Sequence, residues 1–193
     1  MNIMIDPGHG GKDSGAVGIF PTLKVIEKNL TMHYAHALGE HLSNMSHKVT
    51  LTRVFDKFVS LEQRVKMSQI FNSDLFLSIH CNSNVGTPAS GFEIWTSKGK
   101  TKSDKLADMI FDRLLNSTTF KLNCRIDKSD GDPDKEADFY VLKHTSCPAV
   151  LLELGFINNE KDARFLLDPL AVEDITSLLS LAVDEFCQYI SLK

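Results

Sequence analysis

The sequence predicts a single α/β domain with a largely parallel sheet and helices on both faces. Short apolar runs alternate along the chain with stripes at helical spacing, the pattern of strand–helix crossovers. The run Ala149 to Leu154 is almost continuously apolar, as in a strand covered on both faces. No internal repeat, low-complexity linker or composition shift divides the 193 residues, a length suited to one sizeable core.

The elements follow in order. Asn2 to Ile5 is a short apolar run broken by Pro7, Gly8, Gly10 and Gly11, so it reads as a strand entering a loop. Leu30, Tyr34, Ala37, Leu38, Leu42 and Met45 recur at helical spacing and predict a helix over about Asn29 to Asn44. Lys48 to Arg53 is the next strand. Leu61, Val65 and Ser68 mark a second helix, with Ser60 as its cap and Gln63 at capping-box spacing. Leu75 to His80 and Phe92 to Thr96 are strands separated by a loop with Gly86, Pro88 and Gly91. Lys105 to Leu115 is helical, and Asn123 to Asp138, dense in Asp, Lys and Gly, is expected to be a solvated loop. Ala149 to Leu154 follows as the buried strand. A stripe of Ile175, Leu178, Leu179, Ala182, Phe186 and Ile190 closes the fold with a long helix.

Composition narrows the function classes. Lys and Arg total 21 against 25 Asp and Glu, and the net charge of −4 offers no global basic field for nucleic acid. No apolar run is long enough to span a bilayer, and the first residues lack the basic, apolar and small-residue blocks of a secretory signal. Cys81, Cys124, Cys147 and Cys187 are widely spaced and read as small apolar residues rather than thiol ligands or a disulfide framework.

Four residues stand out as candidates for a metal site: His9, Glu27, His80 and Glu153. Two imidazoles and one carboxylate can hold zinc with a position open for water, and a second carboxylate nearby can take that water's proton. His9 follows the first strand, Glu27 lies in the loop feeding the first helix, and His80 and Glu153 each end a strand. Open α/β sheets collect ligands at the carboxyl ends of their strands, where these distant residues can converge. Each has a plainer explanation. A histidine in a glycine-rich loop is usually solvated, and a glutamate before a helix favours the helix's positive end. His80 closes an apolar strand in a polar cluster with Asn82, Ser83 and Asn84. Glu153, inside an apolar run, needs a partner, and a structural salt bridge is the competing reading.

The remaining motifs carry less. His33, His36, His41 and His47 fall on the solvated flanks of the first helix or just after it, and His144 sits in a loop before the buried strand. There is no Gly-x-Ser-x-Gly elbow. The glycines around His9 lack both the Lys-Ser/Thr end of a P-loop and dinucleotide spacing.

The blocks Ile5-Asp6-Pro7-Gly8-His9-Gly10-Gly11-Lys12-Asp13-Ser14-Gly15-Ala16, Glu27-Lys28-Asn29, Leu51 to Asp56, Ser60 to Arg64, Leu77 to Asn82 and Pro148 to Asn159 resemble, in order, the zinc-dependent N-acetylmuramoyl-L-alanine amidases of the amidase_3 family. Ser68-Gln69 departs from the Ala-Asn often found there, a change that touches helix packing more than chemistry. The resemblance implies a mainly parallel six-stranded sheet, Zn2+ held by His9, Glu27 and His80, and Glu153 as the catalytic carboxylate. It implies hydrolysis of the amide joining the lactyl group of N-acetylmuramic acid to L-alanine in peptidoglycan.

Two other readings are another zinc peptidoglycan hydrolase cutting the stem peptide and a non-catalytic peptidoglycan-binding module; the retained Glu153 argues against the second. The implied partner is peptidoglycan, with no nucleic acid and no membrane insertion, met by a monomer. Roles for Asn82 and Arg64, as substrate-shaping or scaffold residues, stay open. Exported relatives often carry a helical plug after the strand equivalent to Phe92 to Thr96. Here Gly99, Lys100 and Thr101 lead directly into a helix, so an open, endolysin-like site is expected. The polar Asn123 to Asp138 stretch is the one candidate for a mobile lid. Synthesis in the cytoplasm with action at the wall or periplasm after release, or a mature exported domain, fits this reading.

Overall fold

The computed structural model describes residues 1–86, 89–129 and 131–192. Pro88 and Asp130, which the sequence places in loops, lie outside these residues, as does the last residue, Lys193. The elements are β1 (Asn2–Pro7), β2 (Val17–Phe20), β3 (Leu23–Ile26), α1 (Glu27–Asn44), β4 (Lys48–Leu51), α2 (Leu61–Phe71), β5 (Leu75–Asn82), β6 (Glu93–Thr96), α3 (Lys102–Leu115), β7 (Lys135–Glu136), α4 (Tyr140–His144), β8 (Ala149–Phe156), α5 (Glu160–Leu166) and α6 (Pro169–Ser191). Six strands form one sheet in the order β4-β1-β5-β8-β6-β7. Every pairing is parallel except that of β6 with β8. The mainly parallel, six-stranded α/β architecture expected from the sequence is present.

Strand alternation separates two cores. Ile3, Ile5, Leu75, Leu77, Ile79, Val150, Leu152 and Leu154 pack with the apolar stripes of α1, α3 and α6. The residues between them, Met4, Phe76, Ala149 and Leu151, pack with Val65 of α2 and with Val141 and Leu142 of α4. The β5 and β8 strands are apolar on both faces because helices cover both, which explains their unbroken runs. The α2 helix starts on the expected capping box: the Ser60 side chain accepts from Gln63 N, and the Gln63 side chain accepts from Ser60 N.

Some expectations change. A short antiparallel hairpin, β2–β3, precedes α1, so Glu27 is the first helical residue rather than part of a loop. Its strands are four residues each, too short for alternation to show against Gly18 and Pro21. Nor is the Asn123 to Asp138 stretch a free lid. Cys124 bridges to Phe92, Ala137 N donates to Thr96 O, and Lys135 and Glu136 form the sheet's edge strand. Backbone pairing with β6 orders a segment whose composition favours solvent. His144 ends the short α4 helix and stacks on Tyr140, rather than lying in a loop. His33 and His36 are exposed as expected, whereas His41 and His47 reach Glu173 and Asp184 on α6.

Phe76 is fully buried where the smaller core meets the sheet. Phe76→Ala should cost about 3–5 kcal/mol, read as a lower urea midpoint with an unchanged denaturant slope.

Candidate active site

The loop after β1 turns sharply, with His9 (φ 61), Gly10 (φ 126) and Gly11 (φ 59) all in left-handed backbone. Such a conformation is unfavourable for histidine and has to be held by its surroundings. Two buried arginines hold it. Arg53 donates from Nε to Pro7 O (3.0 Å) and from Nη2 to Gly8 O, Lys28 O and Thr31 Oγ1. Arg64 donates to Pro7 O and His9 O and pairs with buried Asp6, which also accepts from Thr52 and Ser78. Arg53 therefore ties the His9 loop to the first turn of α1. Arg64 is a scaffold residue. Gly8 and Gly15 leave room for the imidazoles: a Cβ on Gly8 would strike the His80 ring, and one on Gly15 would sit 2.5 Å from Glu27 Oε2.

The base of the β2–β3 hairpin places Glu27. Its backbone N donates to Ala16 O (3.0 Å) and its Oε2 accepts from Ala16 N (2.8 Å). Its Oε1 accepts from Cys81 N (3.0 Å) and lies 3.0 Å from both His9 Nε2 and His80 Nδ1. His9 Nδ1 is held by Asp13 at 2.9 Å, which turns Nε2 toward Glu27. One donor atom from each of His9, Glu27 and His80 falls within 4.8 Å of the others. Two imidazole nitrogens and a carboxylate, with a further carboxylate orienting one imidazole, are the donor set that zinc sites use. The residues present fit a zinc ion.

Electrostatics bind the cluster together. Burial opposes protonation of His9, but hydrogen bonds and charge from Glu27 and Asp13 outweigh it and raise its pKa. Burial also works against the Glu27 carboxylate, yet hydrogen bonds from His80 and His9 hold its pKa far below the ordinary range. Glu153 responds in the opposite sense. It sits beside His80 across the β5–β8 pairing, partly open to the cleft, but its Oε2 is buried without a hydrogen-bond partner among the described residues. Burial, then the negative charges of Glu27 and Glu93, push its pKa up to about 8. No salt bridge neutralises it among the described residues, so the structural reading of Glu153 does not hold.

A cleft of about 440 Å³ opens over these groups, with His9, His80, Asp6, Ser78 and Glu153 on its floor. Phe58 and Leu61 before and at the start of α2, and Phe139 and Tyr140 at α4, form its apolar walls. Sequence reasoning brought His9, Glu27, His80 and Glu153 to this one place. It missed Asp13, although His9 and Asp13 stand four apart, and it missed Arg53, Glu93 and the wall aromatics, which carry no local motif.

With this geometry in view, comparison with known proteins is decisive. The family model described as N-acetylmuramoyl-L-alanine amidase (Amidase_3) matches residues 3–185. The chain belongs to the N-acetylmuramoyl-L-alanine amidase family. It is 35% identical over 178 residues to the amidase CwlM of Bacillus licheniformis, covering 91% of this chain and 64% of that protein. Against the amidase LytC of Bacillus subtilis it is 36% identical over 169 residues, 85% of this chain and 31% of LytC. The chain thus spans less than two thirds of either relative's length. The catalytic domain of CwlV from Bacillus (Paenibacillus) polymyxa var. colistinus superposes with a TM-score of 0.84 at 30% identity, covering 97% of this chain and 98% of that one. The cleft belongs, on these grounds, to an amidase-family domain.

A pH experiment on metal-free protein isolates Glu153. Its pKa rises from 4.5 in the unfolded chain to about 8 in the fold, so its stabilising share is full below about pH 4.5 and is lost as pH climbs through about 8. Glu153→Gln lacks that loss while leaving Glu27 and His9 in place. The variant should gain stability relative to wild type across this window in urea unfolding; a pH-independent difference contradicts the assignment.

Proposed function

We propose that this domain is a zinc-dependent amidase that cleaves the bond between the lactyl group of N-acetylmuramic acid and L-alanine in peptidoglycan. The observation that carries this is the convergence of His9, Glu27 and His80 on one point beside Glu153, a carboxyl whose pKa burial pushes up, within a family whose relatives are named for that activity.

His9, Glu27 and His80 would hold the ion, with Asp13 fixing the His9 ring. A zinc ion held there would supply Lewis acidity, polarising the amide carbonyl and acidifying a water in the cleft. Glu153 accepts that water's proton as the carbonyl is attacked and returns a proton to the departing alanine amine. A raised pKa makes its carboxylate form the stronger base for the first half, and the acid it becomes serves the second. The low exposure of its Oε2 keeps the proton from bulk water. No serine or cysteine nucleophile is required, and Cys81 is buried with its thiol pKa raised by that burial.

The site is open without an activator. The β6 strand ends at Thr96 and α3 begins at Lys102, capped by the Thr101 side chain, leaving no space between them for a helical plug. Among the described residues no helix is long and apolar enough to cross a membrane. The short β6–α3 connection supports an endolysin-like domain whose access to the wall is what is controlled.

Digestion of purified peptidoglycan with the zinc-loaded domain alone should create new L-alanine amino termini and leave lactyl carboxylates on the glycan, as read by mass analysis. New reducing ends, cuts within the stem peptide, or a strict need for a protein activator sink this reading. In the same assay Glu153→Gln should lose about two to four orders of magnitude in turnover while retaining zinc. Asp13→Asn should weaken zinc binding by about 10–100-fold, measured by competition with a chelator.

A further inference from the structure

Beyond Glu153 the sheet continues to β6 and β7, on the side away from His9 and His80. Glu93 stands opposite Glu153 in the antiparallel β6–β8 register, so the two side chains share a face. Glu93 is buried and saturated: its Oε2 accepts from Asn82 Nδ2 (3.0 Å), and its Oε1 from Arg125 Nε (2.5 Å) and Lys135 Nζ (2.8 Å). One carboxylate thus faces two cations and leaves a net positive charge on this rim.

Arg125 is presented rather than spent. Its Nε serves Glu93 and its guanidinium carbon lies 5.2 Å from the centre of the Phe156 ring, yet the side chain is 40% exposed. Among the described residues its two terminal nitrogens meet no acceptor. The segment is clipped in place, with Phe92 N donating to Asn123 O and Arg125 N donating to Phe92 O, both at 2.8 Å. A fixed planar guanidinium edge with unused N–H groups matches a carboxylate in two-point geometry. Lys135, anchored over the Trp95 ring at 5.3 Å, adds a second charge.

We propose that Arg125 and Lys135 form a carboxylate subsite that grips the stem peptide and sets preference among its chemical variants. This rests on the amidase reading given above. The muramoyl side of the scissile amide carries no free carboxylate, because its lactyl carboxyl is the acyl group of that bond; free carboxylates lie along the peptide alone. One strand spacing from Glu153 to Glu93 plus a hydrogen-bonded side chain spans roughly 8–10 Å, the reach of two to three extended residues. The subsite therefore takes a carboxylate on the second or third residue of the stem. The glycan is left to the apolar walls at Phe58, Leu61, Phe139 and Tyr140.

The test uses synthetic N-acetylmuramoyl tripeptides bearing a free α-carboxylate on the second residue, a free C-terminal carboxylate, both, or neither, the remainder being amidated. Wild-type kcat/KM should fall by roughly tenfold, through KM, when the recognised carboxylate becomes an amide, and the single-carboxylate compounds show which position is read. Arg125→Gln should erase that preference, losing about tenfold more on the compounds that carry the recognised carboxylate than on the fully amidated one. A residue that merely supports Glu93 would instead lower kcat on every compound alike. Calorimetric binding of the same compounds to metal-free protein gives a readout independent of turnover, with the same ranking expected. Wild-type protein that binds and cleaves all four equally overturns the subsite, as does an equal loss on all four in Arg125→Gln. Failure of wild type to free the alanine amino group of any compound refutes the amidase reading instead, and the binding ranking then decides the subsite on its own.

Discussion

The parallel register of β1, β5 and β8 is the constraint on which the site depends. Asp6 pairs with Ser78, and His80 with Glu153, so all four side chains point to the same face at the same end of the sheet. A slip of one residue in either pairing would turn that set into the apolar core occupied by Ile5, Leu77, Ile79, Leu152 and Leu154. The cost of burying those polar groups, and of exposing the apolar ones, locks the register. The apolar runs that build the fold are thus also what aims its chemistry.

The polar layer above the strands works by saturation. Arg53, Arg64 and Asp6 are almost wholly buried, and each finds several partners in the backbone carbonyls, hydroxyls and carboxylate around the His9 loop. This satisfies charges that would otherwise destabilise the interior and fixes a left-handed histidine in one geometry. Glu153 is the exception, a carboxyl with a buried oxygen left unpartnered one strand away from a saturated one, Glu93. Burial, and then the neighbouring carboxylates Glu27 and Glu93, push the Glu153 pKa up.

Much of this was legible in the sequence, for definable reasons. Long periodic stripes and unbroken apolar runs marked α1, α3, α6, β5 and β8 because burial on whole faces imposes them. Three residues of the site were legible because each interrupts its context: His80 and Glu153 break apolar strands, and His9 sits amid glycines, whereas Glu27, an ordinary glutamate before a helix, gained weight from the family resemblance. What escaped was set by tertiary pairing. The β2–β3 hairpin and the two-residue β7 are too short to show a period, and β7 owes its order to β6 rather than to Lys135 and Glu136 themselves. Arg125 lies in a stretch whose composition speaks of solvent, and the Phe92–Cys124 bridge brings it beside Glu93 on β6.

The central claim is that the fold gathers His9, Glu27 and His80 into one zinc centre. Anomalous scattering from crystals of the zinc-loaded protein, collected on both sides of the zinc absorption edge, tests it most directly. The account predicts a single edge-dependent peak bounded by His9 Nε2, the Glu27 carboxylate and His80 Nδ1. A peak seated elsewhere, or none between those three side chains at full zinc loading, would contradict it.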